Sequence, residues 1–453
     1  MLIRVVIENL FSFGKRKEFN MIPNNRLKTL NDHKYNVDGF DLLKLSSVYG
    51  ANGAGKSNLI KSLQLFQELV VEEEIPFALR DAQFKFNDDN RKQVIAVEFV
   101  QDDTAFYYGI EILDNIISTE ELYLSGLGRK KDELLFERKT NENGITEILF
   151  LKAFEDDERS QLLKSVLLED LVKPNKPILK LISNRNNKFL KDVRMAFGWF
   201  QDTLQIITPD TRPVALAHGI DIDRQFHRYA EDTMCSFNIG ITSLDSGKTE
   251  IQKLLNNADD ADTNNLEQII QQIEKFPDQM LVTNDRSPRN IVKEGDEIWV
   301  KHLKIKHMGR NNKLASFELD EESDGTVRLL DFTLAFYNLI NKRWVFIIDE
   351  IERSIHPLLI KELVKKFSLD PQTMGQLIFT THESNLLDQE LFRQDEIWFA
   401  EKDENGSTDL YSLSDFKEHK TIDIRKGYLN GRYGSIPFLG NLQDLNWHQN
   451  DTD

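Results

Sequence analysis

Three observations in the sequence predict an α/β fold. The run Gly50-Ala51-Asn52-Gly53-Ala54-Gly55-Lys56-Ser57 sits between a buried-strand pattern over 42–49 and a helical pattern over 56–74. A second apolar run, Trp344-Val345-Phe346-Ile347-Ile348, ends in Asp349-Glu350. It is apolar on both alternations, as suits a central parallel strand buried on both faces. A third run, over 376–381, follows a helical pattern over 357–367 that carries proline in its first turn. Strand, helix and strand in that order form a right-handed crossover.

The elements around this core follow from local pattern. Met1-Leu2-Ile3-Arg4-Val5-Val6-Ile7-Glu8 is charged within its apolar run, which suits a strand and not a signal peptide. Segments 91–99, 104–113 and 117–124 gather β-formers between polar turns and predict a β-rich N-terminal lobe. Pro76 closes the helix after the glycine loop. From residue 154 to 276 the pattern turns helical, over 156–171, 188–206, 220–235 and 265–276, with a polar, turn-like connection at 256–265. No heptads are sustained there, so a compact helical insertion is expected and not a coiled coil. Strand character returns at 279–282 and 297–306, a helix is expected over 327–341, and a further strand over 396–401. The resulting division is 1–150 (phosphate loop and β-rich lobe), 151–295 (mainly helical insertion), 296–415 (the rest of the core) and 416–453 (tail).

Composition bounds the possibilities. The chain has 453 residues, enough for two or three domains, and one cysteine, so neither an intrachain disulfide nor a multi-thiolate zinc site can form. No apolar stretch is long enough to cross a bilayer, and a cytoplasmic protein without membrane contact is expected. The net charge of −18, from 57 basic and 75 acidic residues, speaks for solubility and against nucleic acid as the main partner.

The glycine loop fits the phosphate-binding pattern G-x-x-x-x-G-K-[ST] at every fixed position. Average residue usage produces that pattern by accident in roughly one or two chains in a hundred of this length. Gly50, Asn52, Gly53, Ala54 and Gly55 offer backbone N–H groups to phosphate oxygens, Lys56 reaches the terminal phosphates, and Asn58 follows in the first helical turn. The helix start adds a partial positive charge. Ser57 and, through water, Asp349 are the expected Mg²⁺ ligands, while Glu350 would orient and polarise an attacking water. The alternatives are a plain glycine turn and a solvated acid pair; the two motifs together argue against both. His382 lies 33 residues after Asp349 at the end of a strand, where it can hydrogen-bond a γ-phosphate. Ser323-Asp324-Gly325-Thr326 precedes a helix and reads as an N-cap with phosphate-facing hydroxyls and N–H groups.

In this order, glycine loop, helical insertion, Ser323 to Thr326, Asp349-Glu350 and His382 resemble an ABC-type ATPase head, as in the SMC and OLD proteins. The resemblance implies two ATP molecules sandwiched between two heads, with Ser323, Gly325 and Thr326 of one protomer closing the nucleotide bound by the other. It leaves a higher oligomer open. Arg353-Ser354-Ile355-His356 falls where that family joins its two sites, and Glu8-Asn9-Leu10-Phe11-Ser12-Phe13 where a segment lies beside the adenine. Gln83 is the candidate for the family's Mg²⁺-binding glutamine, and Asp324 replaces a glycine of the wider pattern. The strings Ser323 to Thr326, Thr380 to Leu387 and Tyr428 to Pro437 resemble the AAA15 branch, which holds abortive-infection and anti-phage ATPases of the RloA, AbiL and PARIS types. That implies a sensor or scaffold that answers a phage-encoded trigger and holds or activates a separate effector protein, a nuclease. The 71 residues after His382 include a strand needed by the head and leave no room for the nuclease domain of OLD relatives. The alternative is a DNA-repair or recombination ATPase that clamps DNA, as RecF-like and SMC-like relatives do.

Overall fold

The computed structural model describes the chain except residues 87–90, 212–214, 256–259, 277–279, 284–287, 417–421 and 436–453. At its centre is a six-stranded sheet in the order Leu204–Ile207, Val345–Ile348, Gln376–Thr381, Leu45–Tyr49, Ile397–Lys402, Thr408–Ser412. The first five strands are parallel and the last is antiparallel to its neighbour. Every residue of Leu45–Tyr49, Val345–Ile348 and Gln376–Thr381 is buried. Their side chains alternate between two cores: Val345 and Ile347 join one, Phe346 and Ile348 the other. That two-sided burial explains why these strands read as continuous apolar runs.

The first core lies between this sheet and a seven-stranded antiparallel sheet ordered Thr146–Phe150, Glu133–Thr140, Ile116–Leu124, Thr104–Leu113, Gln93–Gln101, Leu2–Glu8, Lys17–Asn20. Helix Lys56–Glu72 is sandwiched here through Leu59, Leu63, Phe66 and Val70. Phe66 stacks on Tyr108 at 5.6 Å and meets Phe200 edge-on at 5.5 Å. The second core holds helices Arg224–Ser236, Asp324–Asn341 and Pro357–Leu369 against the opposite sheet face.

Region 151–295 differs from expectation in three places and meets it in part at a fourth. Residues 204–206 were expected to end a helix; instead Leu204–Ile207 is an outer strand of the central sheet, paired in parallel with Val345–Ile348. Its four residues are too few to show a period, and the strand is specified by that long-range pairing. Ile241–Glu250 is a ten-residue strand that local pattern does not reveal, because only Ile241 and Leu244 are buried. It pairs with Glu297–Met308 in an antiparallel sheet completed by Asn290–Glu294, Leu281–Val282 and Leu314–Phe317. The connection expected at 256–265 is helical from Asp260, in helix Asp260–Lys275, and its first four residues lie outside the described ones. The strand expected at 279–282 comprises Leu281–Val282, with residue 279 outside.

The strand expected over 42–49 is also divided. Phe40–Leu43 forms a hairpin with Lys34–Val37, and Leu45–Tyr49 enters the central sheet. Lys44 marks the break; its buried ammonium donates to Asp370 O at 2.8 Å. Of the segment 428–437, residues 436 and 437 lie outside the described residues.

Candidate phosphate-binding site

The loop between Leu45–Tyr49 and Lys56–Glu72 is at the C-terminal end of the central strands, where open α/β sheets hold their ligands. Two of its glycines adopt backbone angles that favour glycine, Gly53 at φ +80° and Gly55 at φ +109°. A Cβ on Gly55 would also lie 2.2 Å from Thr408 Oγ1 and 2.7 Å from Ser12 Oγ. Those hydroxyls clamp the loop from outside. Thr408 Oγ1 lies 2.8 Å from Ser12 Oγ and donates to Ala54 O at 2.8 Å, while Asn58 Nδ2 donates to Ser12 Oγ at 2.8 Å.

Lys56 Nζ donates to Gly50 O at 2.7 Å and Ala51 O at 3.2 Å. Burial pushes its ammonium below the usual lysine range, against the pull of Glu352, Asp349 and Glu350. Ser57 Oγ donates to Asp349 Oδ1 at 3.2 Å, so the two expected metal ligands meet across 292 residues. Thr380 Oγ1 donates to the same Asp349 oxygen and accepts from Glu350 N at 2.8 Å. Glu350 sits at φ +48°, a conformation that costs a non-glycine residue of order 1–3 kcal/mol and clusters at functional sites. Its carboxylate is 3.9 Å from Arg353 Nη1. Glu350, His382 and residues 51–58 line one cavity of 340 Å³.

A neighbouring cavity of 320 Å³ shares Asn58 and is lined by Phe11, Ser12, Gln83, Phe84 and Phe86. Gln83 therefore lies outside the phosphate cavity, and its amide donates to Arg91 O at 3.1 Å. Ser323, Gly325 and Thr326 are not brought to the phosphate cavity of their own chain. Ser323 is exposed and caps helix Asp324–Asn341, with Thr326 N donating to its Oγ at 3.2 Å. Gly325 packs so closely on the Arg353–His356 turn that a Cβ would sit 2.7 Å from Ser354 O. Arg328, one turn along, donates to Thr208 O at 3.0 Å and Asp349 O at 3.2 Å.

The donors present fit a nucleoside triphosphate with Mg²⁺. Glycines of positive φ open onto a helix N-terminus, and a hydroxyl and a carboxylate supply the hard oxygens that Mg²⁺ takes together with phosphate and water. Among the described residues, no group of three or more His, Cys, Asp or Glu could hold a metal by itself. Arg328 and Thr408 escape sequence reasoning; Ser12 and Thr380 fall within the strings 8–13 and 380–387 singled out by resemblance, but their hydrogen bonds do not follow from it.

Geometry of this kind defines a P-loop nucleotide-binding protein on an α/β sheet. The chain belongs to the family described as "AAA domain, putative AbiEii toxin, Type IV TA system", whose model matches residues 45–388. No curated protein matches the sequence. Among solved structures, the chain is similar to an SmcHead bound to the C-winged helix domain of ScpA, at 11% identity, with 92% of this chain and 99% of that one covered and a TM-score of 0.44. The SMC head domain from Thermotoga maritima matches at 11% identity, 91% and 98% coverage and 0.38. The Smc head domain with an extended coiled coil, bound to the C-terminal domain of ScpA derived from Pyrococcus furiosus, matches at 12%, 95% and 99%, and 0.40. No helix among the described residues is long and apolar enough to cross a membrane.

Proposed function

We propose that the chain binds ATP with Mg²⁺, hydrolyses it, and acts as the ATP-dependent sensor or scaffold of an anti-phage system that holds or activates a separate effector, a nuclease. The observation that carries the hydrolysis is the meeting of Glu350 and His382 with the phosphate loop at one cavity. Lys56 and the loop N–H groups bind the β- and γ-phosphates, and Ser57 and Asp349 hold the metal. Mg²⁺ supplies charge neutralisation at the phosphoryl group when bound. Glu350 takes the proton of the attacking water as its oxygen bonds the γ-phosphorus and the bond to the β–γ bridging oxygen breaks. His382 reads the γ-phosphate. The aromatic cavity at Phe11, Phe84 and Phe86 receives the base.

Exposure of Ser323 away from its own phosphate cavity supports action in trans, in a two-headed ATP sandwich. The defence role rests on the AbiEii toxin and TA system named in the family description and on the resemblance of Ser323 to Thr326 and Thr380 to Leu387 to the AAA15 branch. Phosphate release by the purified chain with ATP and Mg²⁺, together with phage challenge of the native host carrying or lacking the gene, tests the two halves separately. Release slowed by orders of magnitude in Glu350→Gln and protection lost on deletion are expected. Unchanged phage sensitivity on deletion overturns the defence role, and DNA retained by the Glu350→Gln protein would favour the repair-type clamp instead.

A further inference from the structure

Glu352 does not itself line the phosphate cavity, yet its carboxylate holds a residue that does. Oε1 accepts the main-chain N–H of His382 at 2.8 Å and lies 3.3 Å from His382 Nε2. One oxygen thus meets both the backbone and the ring of a residue thirty positions further along. The other oxygen, Oε2, is buried with no hydrogen-bond partner. Leaving a buried carboxylate oxygen unpaired costs free energy, and a fold that keeps such a group invites a functional explanation. The His382 side chain is 44% exposed, so packing alone does not set its direction. Glu352 is 12% exposed and lies just beyond the strand Val345–Ile348, next to Ile351, whose N–H donates to Thr380 O at 3.1 Å.

We propose that Glu352 is the positioning residue for His382, holding both the turn after Gln376–Thr381 and the imidazole ring at the mouth of the phosphate cavity. A carboxylate facing Nε2 places a hydrogen on that nitrogen and orients the ring, as second carboxylates do for functional histidines elsewhere. The same carboxylate bears on the Lys56 ammonium, so one group touches the residue that reads the γ-phosphate and influences the residue that binds it. This inference rests on the hydrolysis reading above. Glu352 itself touches neither phosphate nor water in the reaction.

The test combines ¹⁵N-histidine NMR of the full chain, with the His382 ring assigned by His382→Asn, and steady-state ATP hydrolysis. Wild type, Glu352→Ala, Glu352→Asp and Glu352→Gln are compared. A hydrogen on His382 Nε2 is expected in wild type and in Glu352→Gln, whose amide oxygen still accepts. Glu352→Asp, one methylene short, and Glu352→Ala should lose that preference. Their kcat should fall about 10–100-fold while ATP affinity stays within about threefold, and Glu352→Gln should recover most of the rate. An Nε2 signal unchanged in Glu352→Ala and Glu352→Asp overturns the proposal, as does a wild-type rate in either. Equal loss in Gln, Asp and Ala does so too. If the wild type releases no phosphate, the hydrolysis reading fails, and the Nε2 signal still decides whether Glu352 holds the ring. If Glu352→Ala does not fold, the Asp and Gln pair carries the same comparison.

Discussion

Thr380→Val isolates one hydroxyl at the junction of the site. Valine matches threonine in shape, so the change removes little packing, but it removes two hydrogen bonds at once. Thr380 Oγ1 donates to the Asp349 carboxylate and accepts from Glu350 N at 2.8 Å. A hydrogen bond to a charged group contributes about 1.5–3 kcal/mol and a neutral one about 0.5–1.5. The combined loss is about 2–4 kcal/mol, falling on the two acids that would hold the metal and activate water. If about half of it is felt only in the transition state, kcat falls by about 5–30-fold. Nucleotide affinity, set mainly by the glycine loop and Lys56, should stay within about threefold. Steady-state hydrolysis paired with fluorescent-nucleotide titration reads both quantities, and Thr380→Ser should restore much of the rate. A Thr380→Val protein with wild-type kcat would refute the idea that this hydroxyl sets the acids in place. Parallel loss of affinity and rate would point to a distorted loop instead.

Other substitutions probe the lysine, the water-activating acid, the Ser323–Thr326 turn and the N-terminal lobe separately. Lys56→Ala would remove the proposed charged phosphate contact and should weaken ATP binding by about 2–3 kcal/mol, or about 30–150-fold, by calorimetry. Glu350→Gln should bind ATP with near-native affinity and turn over about 10²–10⁴-fold more slowly. Gly325→Ala places a Cβ 2.7 Å from Ser354 O, so it should weaken ATP-dependent self-association in analytical ultracentrifugation while leaving ATP binding by the monomer intact. Glu120→Ala tests the fold: Glu120 is buried beside Arg138 and accepts from Tyr108, Ile178 N and Leu179 N. Removing it leaves a buried guanidinium with its carbonyl acceptors but without its carboxylate, and denaturant unfolding should show a loss of about 3–5 kcal/mol.

What could be read from the sequence was what is decided locally. The glycine loop is legible because backbone conformation demands glycine at Gly53 and Gly55, and the strands before Asp349 and His382 are legible because they are buried on both faces. Residues 204–206 read as the end of a helix because a four-residue strand with three apolar side chains carries no period, and only the distant Val345–Ile348 supplies its pairing. Ile241–Glu250 hides for the opposite reason: its many polar side chains tolerate exposure, and its partner residues lie 49 to 66 positions away. Thr380, Arg328 and Glu352 are ordinary residues by type. Their roles arise from contacts spanning 21 to 31 positions, between elements whose relative placement no local pattern encodes.

In the proposed ATP sandwich, this site closes over nucleotide between two copies of the chain. The most direct measurement is the mass of purified Glu350→Gln protein with Mg²⁺ and ATP, against the same protein without nucleotide and against the Lys56→Ala protein with it. A dimer or larger assembly that forms only in Glu350→Gln with ATP, and dissociates when Ser323 is replaced, is the predicted result. A particle whose mass ignores ATP, or an assembly that Ser323→Ala leaves intact, would contradict it.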